Sequence, residues 1–376
     1  MKKLKIMKKI NFLTLISLVA LLLFSVSCDD SIDTPQAGES ILPERFSIDI
    51  PQSISNPDAV NGRMAGRTTE DLNGNEIYEL LSLFIAIGEA SGDLAEAVIG
   101  GIAVDVDRAF FLSYQSDEDG RTKNLEVIEG ASYEGVDYEF VLTITDAESE
   151  SNTDGGKALQ VFWNKSLIKG VAILKPFNID RIKDVDAGDA IYRIEYTEDS
   201  DQDYDAHMIV TIDNLPLANP LEDPYSISTL KMFVGRKGDV VDVFGNSHHP
   251  NAAFFTDTKG FNWAFVASGI HEGNIGVAEV GLPPGDLDSN DRALLLVEHS
   301  LKNVFTNQIQ NAFPGIEQSL IDQYLHNTDA PGYFNSDGFI QGGTSPQTIF
   351  DPLAERLQDL TPYNPADIAA LEVEFN

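Results

Sequence analysis

The sequence predicts an α+β fold: an antiparallel β-meander, arranged as a barrel, half-barrel or sandwich, flanked by N-terminal and C-terminal helices. Apolar residues recur at helical spacing before residue 100. They alternate with a period of two from about 108 to 282, and return to helical spacing from about 290 to 376. The strand-like runs are short and rich in Val, Ile, Phe and Tyr. Most are separated by Asp, Gly, Asn and Ser turns, which reads as hairpins in a meander rather than βαβ crossovers.

The N-terminus opens with Lys2, Lys3, Lys5, Lys8 and Lys9 and no acid. Phe12 to Phe24 is apolar apart from Thr14 and Ser17, and Ser25, Val26 and Ser27 lead to Cys28. A basic zone, an apolar zone and a small-residue cleavage zone make residues 1–27 a secretory signal. The apolar run is shorter than the roughly 20 residues a spanning helix needs. Met7 offers a second start that preserves the signal.

Ser25-Val26-Ser27-Cys28 resembles the lipobox of bacterial lipoproteins, with Ser25 where Leu is usual. The resemblance implies cleavage before Cys28, acylation of its thiol and of the new amine, and a lipid-anchored place in the cell envelope, at the outer membrane. Asp29 and Asp30 resemble the surface-export signal of bacteroidete-type lipoproteins. Asp30-Ser31-Ile32 resembles the O-glycosylation motif of that group. Cys28 is the only cysteine, so the fold can contain no intramolecular disulfide and must rest on its core.

Residues 28–45 are the lipidated cysteine and a polar, Pro-containing tether. Residues 46–376 read as a single α+β domain. Within it, 51–74 is loop-like. Ile77, Leu80, Leu81, Phe84 and Ile85 mark a helix, and the glycines at 88 and 92 break it before a second, shorter helix over 93–99. Alternation then predicts strands at 109–115, 124–129, 137–145, 158–163, 170–174 and 190–196. Further strands are predicted at 207–212, 229–234, 240–244, 262–267 and 275–280. Leu294, Val297, Leu301, Val304 and Phe305 form the next helical stripe, capped by acids among 288–291. Ile316, Leu320, Ile321 and Tyr324 mark another. Residues 327–349 read as loop, and Asp351-Pro352 and Asn364-Pro365 each open a short helix.

The full chain has a formal charge of −35, and removing the signal takes away five lysines and no acid. So acidic a surface repels nucleic acid, which excludes that class of partner. An apolar content of 43% supports a packed core.

Four groupings of residues are candidates for chemistry. Glu195, Glu198, Asp199, Asp201, Asp203 and Asp205 crowd one inferred hairpin loop. Dense carboxylates suit calcium, although the spacing is not that of an EF-hand. His248, His249, His271 and Glu272 are an alternative metal set without a standard zinc spacing. Trp163 and Trp263, on strands, can stack on sugar rings if they face outward. Cys28 is the lipidation site. No nucleophile elbow, Walker loop or dinucleotide fingerprint is present, and no cofactor is predicted beyond calcium.

Three functions follow. The first is a non-catalytic binding or scaffold lipoprotein, with a lipid, glycan or envelope protein as partner. The second is a carrier of hydrophobic ligands, because helices beside a long meander resemble envelope lipoprotein-carrier folds in architecture. The third is an envelope or extracellular hydrolase with no readable motif.

Overall fold

The computed structural model describes residues 45–55, 74–100, 110–165, 169–183, 188–198, 203–220, 225–252 and 260–376. The signal, Cys28 and the tether as far as residue 44 lie outside them. The protein is α+β. A thirteen-stranded antiparallel meander runs in sequence order and does not close. Its strands are β1 (Phe110–Gln115), β2 (Thr122–Tyr133), β3 (Val136–Asp146), β4 (Lys157–Asn164), β5 (Lys169–Leu174), β6 (Ile191–Glu198) and β7 (Ala206–Asp213). They continue with β8 (Thr229–Lys237), β9 (Val240–His249), β10 (Phe261–Ile270), β11 (Ile275–Gly281), β12 (Gly332–Asn335) and β13 (Gly338–Gly342).

Helix α1 (Gly74–Gly100) precedes the sheet and the short α2 (Pro176–Ile179) follows β5. Helices α3 (Leu301–Ala312), α4 (Gln318–Tyr324), α5 (Asp351–Arg356) and α6 (Pro365–Ala369) belong to the C-terminal part. The alternation located β1 through β11. The β12–β13 hairpin falls within the stretch that reads as loop, because its strands have 4 and 5 residues and glycines at their ends.

One continuous helix replaces the two expected between residues 74 and 100. The glycines at 88 and 92 do not break it; they let it approach the sheet. A Cβ on Gly88 would lie 2.2 Å from Met232 Cε, and one on Gly92 would lie 2.8 Å from Met208 Sδ. Helix α1 lies across the strands. Tyr78 stacks on Phe339 of β13 with ring centroids 4.9 Å apart. Phe84 meets Trp263 of β10, Gly88 meets β8 and Gly92 meets β7. Its 27 residues span about 40 Å at 1.5 Å per residue, enough to cross from β13 to β6 at roughly 4.8 Å per strand.

Period-two patterning gives the sheet two apolar faces. The α1 face carries Leu125, Val127, Leu142, Leu159, Val161, Ile194, Val210, Val234 and Phe265, joined by Phe46, Ile48, Ile50 and Ile54 from the segment before α1. Each such fully buried side chain contributes about 1.5–3 kcal/mol. On the opposite face, Val266 and Val277 pack against Leu295, Leu296, Phe350, Leu353 and Leu357. Tyr133, Val141, Phe162 and Ile173 pack against Val373.

The C-terminal tail crosses this opposite face strand by strand. Asn262 Nδ2 of β10 donates to the Pro365 carbonyl at 3.2 Å, and Thr229 of β8 donates to that of Ile368 at 2.8 Å. The Val373 amide donates to Asp213 of β7 at 3.2 Å, and the Asn376 amide to Gln160 of β4 at 2.9 Å. Asn364 caps α6, accepting from the Ala366 amide at 3.1 Å. Asp351 makes no such cap on α5. Among the described residues no helix is long and apolar enough to cross a membrane.

Candidate functional site

Alternation along β9 puts Ser247 and His249 on the α1 face and His248 on the other. His249 is buried and stacks on Phe261 with centroids 4.6 Å apart. Its Nδ1–H donates to the Tyr225 carbonyl at 2.8 Å, so Nε2 is left to accept from the Ser247 hydroxyl at 2.8 Å. Burial pushes the imidazole down to about 4, keeping it neutral at physiological pH. A hydroxyl, an imidazole and an orienting carbonyl reproduce the connectivity of an activated nucleophile. Here Ser247 is fully buried and His249 nearly so, so the pair acts as a satisfied polar element of the core.

The four residues of the alternative metal set do not converge. His248 Nδ1 donates to Asn262 Oδ1 at 2.9 Å, where β9 pairs with the start of β10. His271 follows Ile270 at the other end of β10, a strand of 10 residues and about 30 Å. There His271 Nε2 meets the Asp49 carbonyl at 3.1 Å, and the Glu272 amide donates to Asp239 at 3.0 Å. Among the described residues no three His, Cys, Asp or Glu side chains are grouped to hold a metal ion.

Of the acid-rich turn, Asp199 and Asp201 lie outside the described residues. Glu195 sits on β6 and pairs with Arg193 at 2.6 Å. Glu198 accepts from the Tyr196 hydroxyl at 2.6 Å, and Asp205 from the Gly238 amide at 2.8 Å. Asp203 is exposed.

Trp163 and Trp263 are both buried in the α1-face core, against Phe140 and Phe84 respectively. Their rings are packing, and neither presents a free face to a sugar. Facing was the missing information: a tryptophan on a strand covered on both sides is core whichever way it points.

Two charged groups join segments across the sheet. Asp242, buried on β9, accepts from Ser268 at 2.7 Å, Tyr204 at 3.1 Å and Arg356 Nε at 3.1 Å, fastening α5 to the opposite face. Asp146, also buried, accepts from Arg121 at 2.8 Å and Arg181 at 2.9 Å. These cations hold its carboxyl below the usual range, against the opposing effect of burial.

On α1, Glu89 accepts from the Ile50 amide at 2.7 Å and from the Ser55 hydroxyl. Glu96 accepts from the Phe46 amide at 3.1 Å and the Ser47 hydroxyl at 2.8 Å. The segment Phe46–Ser55 is therefore strapped to the helix by two carboxylates. Burial raises the Glu89 carboxyl to about 7.

The surface departs from this closed chemistry at one sheet edge. Strand β1 reads FFLSYQ, and five of its six residues are exposed. Phe111 is 64% exposed and Leu112 40%, and Tyr114 and, on β2, Ile128 are similarly open. Phe111 pairs with Glu126, which puts it on one face and diagonal to Ile128; Leu112, opposite Leu125, continues the α1 face. The other edge, β13, is guarded. On its outer side the Gly342 amide donates to Asn327 Oδ1 at 2.7 Å. A Cβ on Gly342 would lie 2.3 Å from the Asp329 carbonyl, so residues 327–331 press against that edge. Strand β1 has no Lys, no Pro and no register shift, the usual devices that blunt an edge.

No protein-family model, curated protein or solved structure matches this chain.

Among the described residues β1 is the strand with the most exposed apolar side chains. Sequence alternation located the strand without revealing its place at an edge. The signal was the absence of charge across FFLSYQ in so acidic a chain.

Proposed function

We propose that the chain is a cell-envelope lipoprotein, tethered through lipid on Cys28, whose folded part binds an envelope partner without catalysis. The observation that carries this reading is the exposed apolar strip of Phe111, Leu112, Tyr114 and Ile128. Exposed apolar side chains on both faces of an uncharged edge strand, in a strongly acidic chain, are costly to leave in water and mark a binding surface. Support comes also from the placement of Ser247, His249, Trp163 and Trp263 inside the core, where they serve packing. A tether over residues 28–45 would reach about 50 Å if extended, suiting capture beyond the membrane surface.

The carrier reading requires α1 to leave the apolar face it covers, since Phe84, Ile85 and Tyr78 fill that side of the sheet. Three measurements test the proposal. Metabolic labelling with a fatty acid marks the wild type and not Cys28→Ala; equal labelling of both overturns the anchor. Native mass spectrometry of the soluble domain purified without Cys28 shows no stoichiometric bound lipid if the surface-binding reading holds. Turnover of an envelope polymer, abolished by one carboxylate substitution, overturns the non-catalytic reading.

A further inference from the structure

We infer that β1 accepts an extended segment of a partner protein as a fourteenth strand, and that this segment is apolar in alternate positions with basic flanks. The inference rests on the binding reading above and names its mode and partner class.

An edge strand presents unpaired N–H and C=O groups in register, and among the described residues no strand lies beyond β1. Adding a strand satisfies those groups and covers both faces of β1. Phe111 and Ile128 offer apolar contact on one face, and Leu112 and Tyr114 on the other. Leu112 and Tyr114 lie on the face where Leu125 and Val127 belong to the core, so the incoming strand carries apolar residues at the alternate positions that meet that face.

The flanking charge sets the ends of the partner. Asp117, Glu118, Glu126 and Glu129 are exposed beside β1. Among the described residues the nearby cations are engaged: Arg121 with Asp146 at 2.8 Å, and Lys123, itself buried, with Asp119 at 3.0 Å. The surroundings of the strand are therefore acidic, and basic residues on either side of the incoming segment complement them. A second copy of this chain brings its own acidic surroundings and the same uncharged strand, so charge complementarity disfavours it. Polar side chains of β1 are already partnered, with Ser113 donating to Asn124 at 2.6 Å and Gln115 to the Gly120 carbonyl at 2.9 Å. Specificity along the strand thus falls to backbone and apolar contacts.

The test uses the full mature chain in detergent and a labelled peptide, Lys-Lys-Val-Thr-Val-Thr-Val-Lys-Lys, read by fluorescence anisotropy. Saturable binding is expected. It weakens by at least about tenfold when alternate peptide amides on the edge that meets β1 are N-methylated, since this removes ladder donors while leaving charge and side chains. It weakens similarly in Phe111→Lys/Leu112→Lys, whose positions are too exposed for the change to unfold the sheet, and when the peptide lysines are replaced by glutamates. Equal binding of the N-methylated peptide overturns strand addition, and equal binding by the double variant overturns the site. A dimer in sedimentation that the double variant dissociates and the peptide does not would assign the edge to a second copy and overturn the partner class. Fatty-acid labelling of Cys28 with no peptide binding removes this inference and leaves the anchored reading standing.

Discussion

Replacing Glu89 by Gln is expected to stabilise the protein at pH 8 and to change little at pH 4.5. In the folded chain its carboxyl is raised from 4.5 to about 7, chiefly by burial, with the nearby Asp93 and Asp49 adding repulsion. A group with a raised folded value holds its proton more tightly folded than unfolded. Its contribution is full below about pH 4.5 and is lost as pH rises through about 7. At about 1.4 kcal/mol for each tenfold change in proton affinity, the loss is about 3 kcal/mol.

Glutamine keeps an oxygen for the Ile50 amide and an N–H for Ser55, so it mimics the protonated form. His249 acts in the opposite sense. Its folded value of about 4 lies below the ordinary 6.5, so its contribution is present above pH 6.5 and lost as pH falls towards 4. Between pH 4.5 and 6.5 the two slopes oppose each other in the wild type, and removing Glu89 leaves the histidine slope exposed. Urea unfolding at pH 4.5, 6 and 8 reads this directly. The variant should gain up to about 3 kcal/mol over the wild type by pH 8. A gain that does not depend on pH, or a loss at pH 8, refutes the reasoning.

Asp242→Ala should cost about 2–3 kcal/mol in urea unfolding and expose α5 to protease. This is less than the roughly 3–5 kcal/mol of a fully buried pair, because Arg356 is 39% exposed. Limited proteolysis of the mature chain should trim the tether and leave residues 46–376 together, since the tail crosses the sheet to β4; a stable fragment ending near residue 285 would mean two domains. We also propose that the turn spanning Glu195 to Asp205 binds calcium weakly. Calorimetry should then show heat that disappears in Asp199→Asn/Asp201→Asn/Asp203→Asn, and identical titrations would mean a solvated turn.

Much of the sheet was legible because each strand alternates around a buried face, as Leu230, Met232 and Val234 do in β8. The hairpin Gly332–Gly342 was not, since its strands are short and glycine-ended and β12 takes its register from β11, about 50 residues earlier in the chain. The glycines at 88 and 92 misled for a related reason. They lower helix propensity locally, yet tertiary contact with Met232 and Met208 decides their role. At the candidate site, the expected strand stopped at residue 244 and left His248 and His249 beyond it; β9 runs on to His249, and only that extension puts Ser247 and His249 on one face. The strand expected at 262–267 already lay between His249 and His271, and its full span over Phe261–Ile270 is what holds them apart. The exposure of β1 is a property of the whole meander, set by which strand comes first.

The most direct test of surface binding through β1 is photo-crosslinking in intact cells. A crosslinking residue is placed at Phe111 on one edge or at Ile340 on the guarded edge, in the lipidated chain. The account predicts an envelope-protein adduct from position 111 that is lost with Leu112→Lys, and none from position 340. Equal adducts from both positions, or an adduct from 340 alone, would contradict it.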